Sequence, residues 1–310
     1  MENLLRSPPG VQTPGGENSD RKYIIDIMYF DFLFWYVLVS VFVFGAVCGS
    51  FLNCVIWRAY VNESAATGRS YCPKCRHRLA ARDLVPLVSF FSLGGRCRYC
   101  KKPISWQYPL IEALTGVAFA AAAWQFVPGV FTGLFPALAL AKLFIYWGII
   151  STLIVIFVAD LRWYFIPDGA VISGLFFAAA LHAQQMAEAW TIIHRVETDI
   201  LVNAALSAVL AGSFFLAIYM FSRGTWMGFG DVKYALFMGW LLGFPDVAVG
   251  LFLAFFFGAI IGLGLVAGQR KKMSSQVPFG PFLVCGTAAA LFFAGPIIDW
   301  YWSISIGPNF

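Results

Sequence analysis

The chain has 310 residues, 60% of them hydrophobic and only 12% charged, with a net charge of +5 and a mean hydropathy of +0.76. An ordinary soluble domain is about 25% charged, so the composition excludes a soluble enzyme and predicts an all-α polytopic membrane protein. Its basic residues lie between apolar runs, where a topology bias explains them better than a phosphate-binding surface does; the expected surroundings are membrane lipid, with no nucleic-acid partner.

Residues 1–31 open with Pro8-Pro9-Gly10 and Pro14-Gly15-Gly16 among scattered charges. That composition predicts a disordered tail to about residue 22 and an interfacial lead-in over 23–31. It does not read as a signal peptide, because no apolar segment follows a basic start at the usual distance. Residues 32–57 contain no charge and form the first transmembrane helix. Its last turns, Gly49-Ser50-Phe51-Leu52-Asn53, set small and polar residues into apolar helix. Gly49 and Ser50 suit close helix packing, whereas Asn53 reads as a packing or capping residue or as a functional one.

Residues 58–108 are the one long polar stretch between spans. They hold ten Lys and Arg against two acids, Glu63 and Asp83, and the positive-inside rule therefore sets them in the cytoplasm. Residues 109–310 then alternate as a multi-span membrane domain. Spans are expected over 109–126, 137–159, 169–183, 200–221, a short 232–242, 247–268 and 282–298, which with the first makes about eight. The polar residues 184–199 read as an interfacial segment on the outer side. This alternation leaves 16 of the 21 basic residues on the cytoplasmic side. Lys142 falls within a span and is expected to snorkel outward.

Within the polar stretch, Cys72-Pro73-Lys74-Cys75 and Cys97-Arg98-Tyr99-Cys100 are separated by 21 residues. Two such turns can offer four thiolates to one tetrahedral ion, the pattern of a structural zinc site in a small ribbon-like loop domain. Two disulfides are the alternative, but a cytoplasmic loop lies in a reducing compartment. Gly94-Gly95 suits a tight turn before the second pair. His77 beside the first pair reads as a surface residue. Cys48, Cys54 and Cys285 sit in apolar stretches and behave as small hydrophobes.

The predicted topology brings Asp160, which closes an inward span, and Asp231, which opens an outward one, to the same cytoplasmic edge. Acids at the edge of apolar spans are costly and mark function by default. Two carboxylates held close resist being ionised together, so one acts as a base on water while the other polarises a carbonyl. The plainer reading is that Asp231 caps its helix and Asp160 pairs with Arg223 or Lys233. Asp168 reads as the N-cap of the following span, and Asp246 and Asp299 fall on the opposite side.

Gly228-Phe229-Gly230-Asp231 fits the GxGD pattern of intramembrane aspartyl proteases. It occurs with Gly49-Ser50-Phe51-Leu52-Asn53 and Arg58, the paired CxxC turns, Tyr108-Pro109-Leu110-Ile111-Glu112, Ile166-Pro167-Asp168 and Pro278-Phe279-Gly280-Pro281-Phe282. In this order, over about residues 45–285, the set resembles the bacterial type IV prepilin leader peptidases. The longer N-terminal tail, and Ala59-Tyr60 after Arg58 in place of Leu-Pro, depart from that pattern. The resemblance implies that Asp160 and Asp231 are the catalytic pair of an aspartic endopeptidase of the bacterial inner membrane. Its substrates would be prepilins and pseudopilins, cut behind their short basic leader on the cytoplasmic side. It also implies methylation of the new N-terminal amine with S-adenosylmethionine. No GxGxxG loop is present for that cosubstrate, and Glu112, a carboxylate just inside a span, is the candidate cofactor-binding residue for the methyl-transfer site; an acid favoured by the helix dipole is the alternative. Two other classes remain on the residues alone: an ion-coupled transporter, whose acids would sit near the midplane, and a non-catalytic membrane protein of a secretion machine.

Overall fold

A computed structural model describes residues 16–64, 67–132, 136–193, 198–267 and 277–306, with side chains over 32–64, 67–127, 136–191, 198–265 and 277–305. Its helices are α1 (Gly16–Val61), α2 (Val88–Ser92), α3 (Gln107–Thr132), α4 (Pro136–Trp163), α5 (Asp168–Ile193), α6 (Asp199–Phe221), α7 (Phe229–Leu242), α8 (Asp246–Ala267) and α9 (Gly280–Ile306). The described residues contain no strand, only two isolated bridges in the cysteine loop. Among the described residues, seven helices are long and apolar enough to cross a membrane. In lipid every backbone group needs an internal partner, which is why apolar runs of this length become helices. The eighth expected span is α7. Its 14 residues rise about 21 Å, less than a hydrocarbon core of about 30 Å.

What α7 lacks in length it makes up in burial. Tyr234, Ala235, Phe237 and Met238 are fully enclosed by α5, α6, α8 and α9. The Tyr234 hydroxyl donates to Thr287 Oγ1 at 2.8 Å, and Thr287 donates in turn to the Leu283 carbonyl. That chain of hydroxyls fixes the register of α7 against α9. Elsewhere the helices meet through small residues, as membrane helices do. A Cβ on Gly286 would lie 2.2 Å from the Gly250 carbonyl oxygen, and one on Gly49 would lie 2.8 Å from Glu112 Cα. Close packing therefore accounts for Gly49.

The helix ends sort into two groups, as the charge pattern requires. At one end Arg162 of α4 donates to Gln107 of α3, Tyr60 of α1 stacks on Trp163 of α4, and Lys233 of α7 pairs with Asp168 of α5. At the other, His182 of α5 meets the Trp240 carbonyl of α7, and Asn203 of α6 bonds both the N–H and the carbonyl of Phe244.

Several boundaries differ from the sequence reading. Helix α1 already begins at Gly16, so residues 16–31 continue the first helix; residues 1–15 lie outside the described residues. Helix α5 runs unbroken through Ile193, so residues 184–193 are not a separate interfacial segment. Their polar side chains find partners on α4: Gln184 donates to the Leu138 carbonyl, and Glu188 pairs with Lys142 at 3.2 Å. Lys142 is thus held by a carboxylate at helix level and has no need to snorkel.

Candidate active site

Asp160 stands in the last turn of α4 and Asp231 in the first turn of α7, 6% and 8% exposed. Burial of both follows from the crossing of α4 and α7 with α9. The two stand at the same end of the bundle: Ile166, in the turn after α4, packs against Gly230 beside Asp231. Asp160 Oδ2 is buried with no hydrogen-bond partner among the described residues. An acceptor left so costs free energy in a folded protein unless function requires it. Both acids sit at helix termini on one side of the bundle, not midway along it, which is the wrong depth for ion coupling.

Two glycines near the pair, Gly280 and Gly230, leave little space for a side chain. A Cβ on Gly280, at the start of α9, would stand 2.5 Å from Asp160 Oδ2. The Pro278-Phe279-Gly280-Pro281 segment is therefore the turn that lays α9 directly on this carboxylate. Phe279 itself packs on Phe215, Phe255 and Phe282. A Cβ on Gly230, beside Asp231, would lie 3.3 Å from the Ile166 side chain. Residues 270–272, basic in sequence, lie outside the described residues.

Lys233 is engaged by Asp168, so it does not neutralise Asp160. Asp168 is the first residue of α5 and is exposed; it belongs to the helix start, as the sequence suggested, with a cation as partner.

The four expected cysteines converge. The Sγ atoms of Cys72, Cys75, Cys97 and Cys100 all lie within 4.8 Å of one another. A tetrahedral zinc with Zn–S distances of about 2.3 Å needs sulfurs about 3.8 Å apart, so this donor set can close on such an ion. The two turns are built alike. Cys72 N–H donates to the His77 carbonyl and Arg76 N–H to the Cys72 carbonyl; Cys97 N–H donates to Lys102 and Lys101 N–H to Cys97. The left-handed positions are Arg76 (φ 56°) and Lys101 (φ 58°). Gly94 and Gly95, both left-handed (φ 59° and 67°), make the tight turn expected before the second pair as α2 ends, and a Cβ on Gly95 would press the Phe90 ring at 3.2 Å. Burial pushes the Cys72 thiol up to about 11. Burial also works against a Cys97 thiolate, but the N–H groups of Cys100 and Tyr99 outweigh it and bring that thiol down to about 7. His77 is exposed and stacks on Tyr99, outside the cluster.

Arg58, whose role the sequence did not disclose, is 4% exposed. It donates to the carbonyls of Ser64, Thr67 and Arg69 and so staples the start of the loop to the end of α1. Asp83 ties the second turn down by accepting from Arg98 Nε at 2.6 Å, Tyr99 Oη at 3.0 Å and Ala80 N–H at 3.2 Å.

Glu112 is not beside the aspartates. It is 7% exposed near the start of α3, where its Oε2 accepts the Leu87 N–H of the loop at 2.7 Å. It lines a cavity of about 520 Å³ between the cysteine loop and the ends of α1, α3 and α4, together with Asn53, Trp57, Phe90, Tyr108 and Arg162. Nothing local in the sequence signals this cavity, because its walls come from four separated segments.

Against known proteins, residues 43–126 match the model of the bacterial peptidase A24 N-terminal domain, and residues 147–263 match that of the type IV leader peptidase family. Among curated relatives, a prepilin leader peptidase/N-methyltransferase of Bacillus subtilis (strain 168) is 31% identical over 87% of this chain and 100% of its own length. Proteins of the same name from Burkholderia pseudomallei (strain 1026b) and Aeromonas hydrophila are 32% and 29% identical. They cover 84% and 86% of this chain, and 86% and 94% of their own lengths. No solved structure matches the chain.

Proposed function

This chain belongs to the type IV leader peptidase family, and from that premise we propose that it removes the short basic leader of prepilins and pseudopilins and then methylates the new N-terminal amine. The reaction would take place at the cytoplasmic face of the bacterial inner membrane, beside the loop whose ten basic residues favour that side. The observation that carries the reading is the Asp160–Asp231 pair: two buried carboxylates from different helices at one end of the bundle, one with an oxygen that makes no hydrogen bond among the described residues.

In this mechanism the ionised aspartate takes a proton from water, and the hydroxide equivalent adds to the scissile carbonyl. The protonated aspartate donates to that carbonyl oxygen. Collapse of the tetrahedral intermediate breaks the C–N bond and passes a proton to the leaving amine. Burial at the helix ends keeps bulk water away, which strengthens these interactions. The peptide arrives from the lipid side at the membrane edge, where a pilin's apolar segment begins.

The loop over 58–108 acts as a metal-folded module on the membrane domain of 109–310, with zinc held by Cys72, Cys75, Cys97 and Cys100. The metal is structural, since four thiolates leave no open position. The methyl donor is S-adenosylmethionine, which supplies an electrophilic methyl group.

The direct test is to incubate the purified full chain with a prepilin-type substrate and S-adenosylmethionine and weigh the product. The mature segment should lose its leader and gain one methyl group. Intact precursor after long incubation would remove the peptidase reading, and an unmethylated product would remove the second activity.

Gly280 offers a finer test. Gly280→Ala sets a methyl group against the Asp160 carboxylate, and displacing a reacting group by about 1 Å costs about a hundredfold in rate. The expected result is cleavage slowed on that order, with normal membrane levels and metal content. Cleavage near the wild-type rate would show that Asp160 does not need its present position.

A further inference from the structure

Asn53 is the most deeply buried polar side chain at the mouth of the cysteine loop, 2% exposed. Its amide nitrogen is satisfied by the Gly49 and Tyr108 carbonyls, both at 3.2 Å. Its carbonyl oxygen Oδ1 is buried and has no partner among the described residues. A lone amide acceptor in such a place asks for an N–H donor. The side chain lines the 520 Å³ cavity together with Glu112. The two are neighbours across the α1–α3 contact: Tyr108, which Asn53 bonds, lies one turn before Glu112, and Gly49, one turn before Asn53, rests on Glu112 Cα. A neutral acceptor and a carboxylate thus meet at the floor of a pocket large enough for a drug-sized molecule.

We infer that this cavity is the methyl-donor site, and that Asn53 Oδ1 and Glu112 hold the ammonium of the adenosyl sulfonium's amino-acid end. The inference rests on the methylation reading above and adds where the donor binds. The rest of the lining suits the remainder of such a molecule. Trp57, Tyr71 and Phe90 offer aromatic surface for a purine, and Lys74 and Lys102 offer charge for a carboxylate. Arg162 also lines the cavity. It lies two residues after Asp160 but on the other side of α4, bonded to Gln107 of α3, so a cleaved amine has to pass round the end of α4 to reach the donor. In the transfer the neutral amine's lone pair attacks the methyl carbon. The N–C bond forms as the S–C bond breaks, its electron pair stays on sulfur to give a thioether, and the new ammonium loses one proton to solvent.

The experiment measures binding of S-adenosylhomocysteine, the transfer product, to the purified full chain by calorimetry, alongside methylation of a cleaved substrate. Glu112→Gln is the sharpest variant because the amide oxygen still accepts the Leu87 N–H, so only charge is lost. Asn53→Leu removes the unpartnered acceptor, and Ser89→Trp fills the pocket from the loop side. Losing a charge-assisted contact is worth about tenfold or more in affinity, so each variant is expected to bind at least about tenfold more weakly, with the KM for donor rising in parallel. Wild-type affinity in Glu112→Gln and Asn53→Leu would overturn the site while leaving the methylation reading standing. A wild-type chain that neither binds the product nor methylates would overturn the reading itself.

Discussion

Asp231→Asn and Asp160→Asn are each expected to leave prepilin uncut, with cleavage slowed about a thousandfold or more, the range lost when a positioned acid or base is removed. Asparagine keeps the volume of the side chain but cannot take a proton from water or give one to a carbonyl. Because the pair works as a unit, the double variant should be no slower than the worse single one. Multiplying losses would instead mean that the two residues serve separate steps. A second readout separates catalysis from folding. Both carboxylates are buried at the same end of the bundle, and replacing one by a neutral amide removes a charge that burial disfavours. Each single variant should therefore unfold at the wild-type temperature or above it, as happens when an active site holds destabilising charge. A variant that cleaves at the normal rate would reduce its aspartate to a helix-end residue, and the peptidase assignment would have to be abandoned for it.

Removing the metal from the cysteine cluster should unfold the loop and leave the spans in place. Among the described residues from 62 to 106, only Cys72, Phe90 and Cys97 are buried, which is far too little apolar core to hold some fifty residues by itself. Structural zinc contributes about 10–16 kcal/mol in small domains, so nothing else in the loop can substitute for it. The measurement is tryptic digestion of the membrane-embedded chain, since nine Lys and Arg lie between residues 62 and 106. Wild type should resist, and Cys97→Ser or chelated protein should be cut within the loop. Metal analysis should fall from one zinc per chain to none. The aspartates lie on α4 and α7, which the loop does not build, so leader cleavage should suffer less than methylation, whose proposed cavity is walled by Cys72 and Cys97. Resistance to trypsin in metal-free protein would show that packing, not an ion, holds the loop.

Much of this protein was determined by the sequence alone. Apolar runs and the sidedness of basic residues are local, one-dimensional signals that lipid enforces directly, so the helices and their alternation follow from them. The four cysteines were legible because a tetrahedral ion demands fixed spacings, and the two aspartates because charge is rare in such a chain. Tertiary structure decided what depends on contacts between distant segments. Nothing near Gly280 in sequence reveals that it lies on Asp160, nor that α5 keeps its helix through Ile193 because Lys142 and Leu138 of α4 satisfy Glu188 and Gln184. Asn53 offered no sign of an orphaned oxygen until α3 packed against α1. Glu112 read as an acid at a helix start, and only the fold showed that it holds the loop at Leu87 and floors a cavity. Such features are properties of pairs of surfaces, and a chain specifies them only once its helices have found their neighbours.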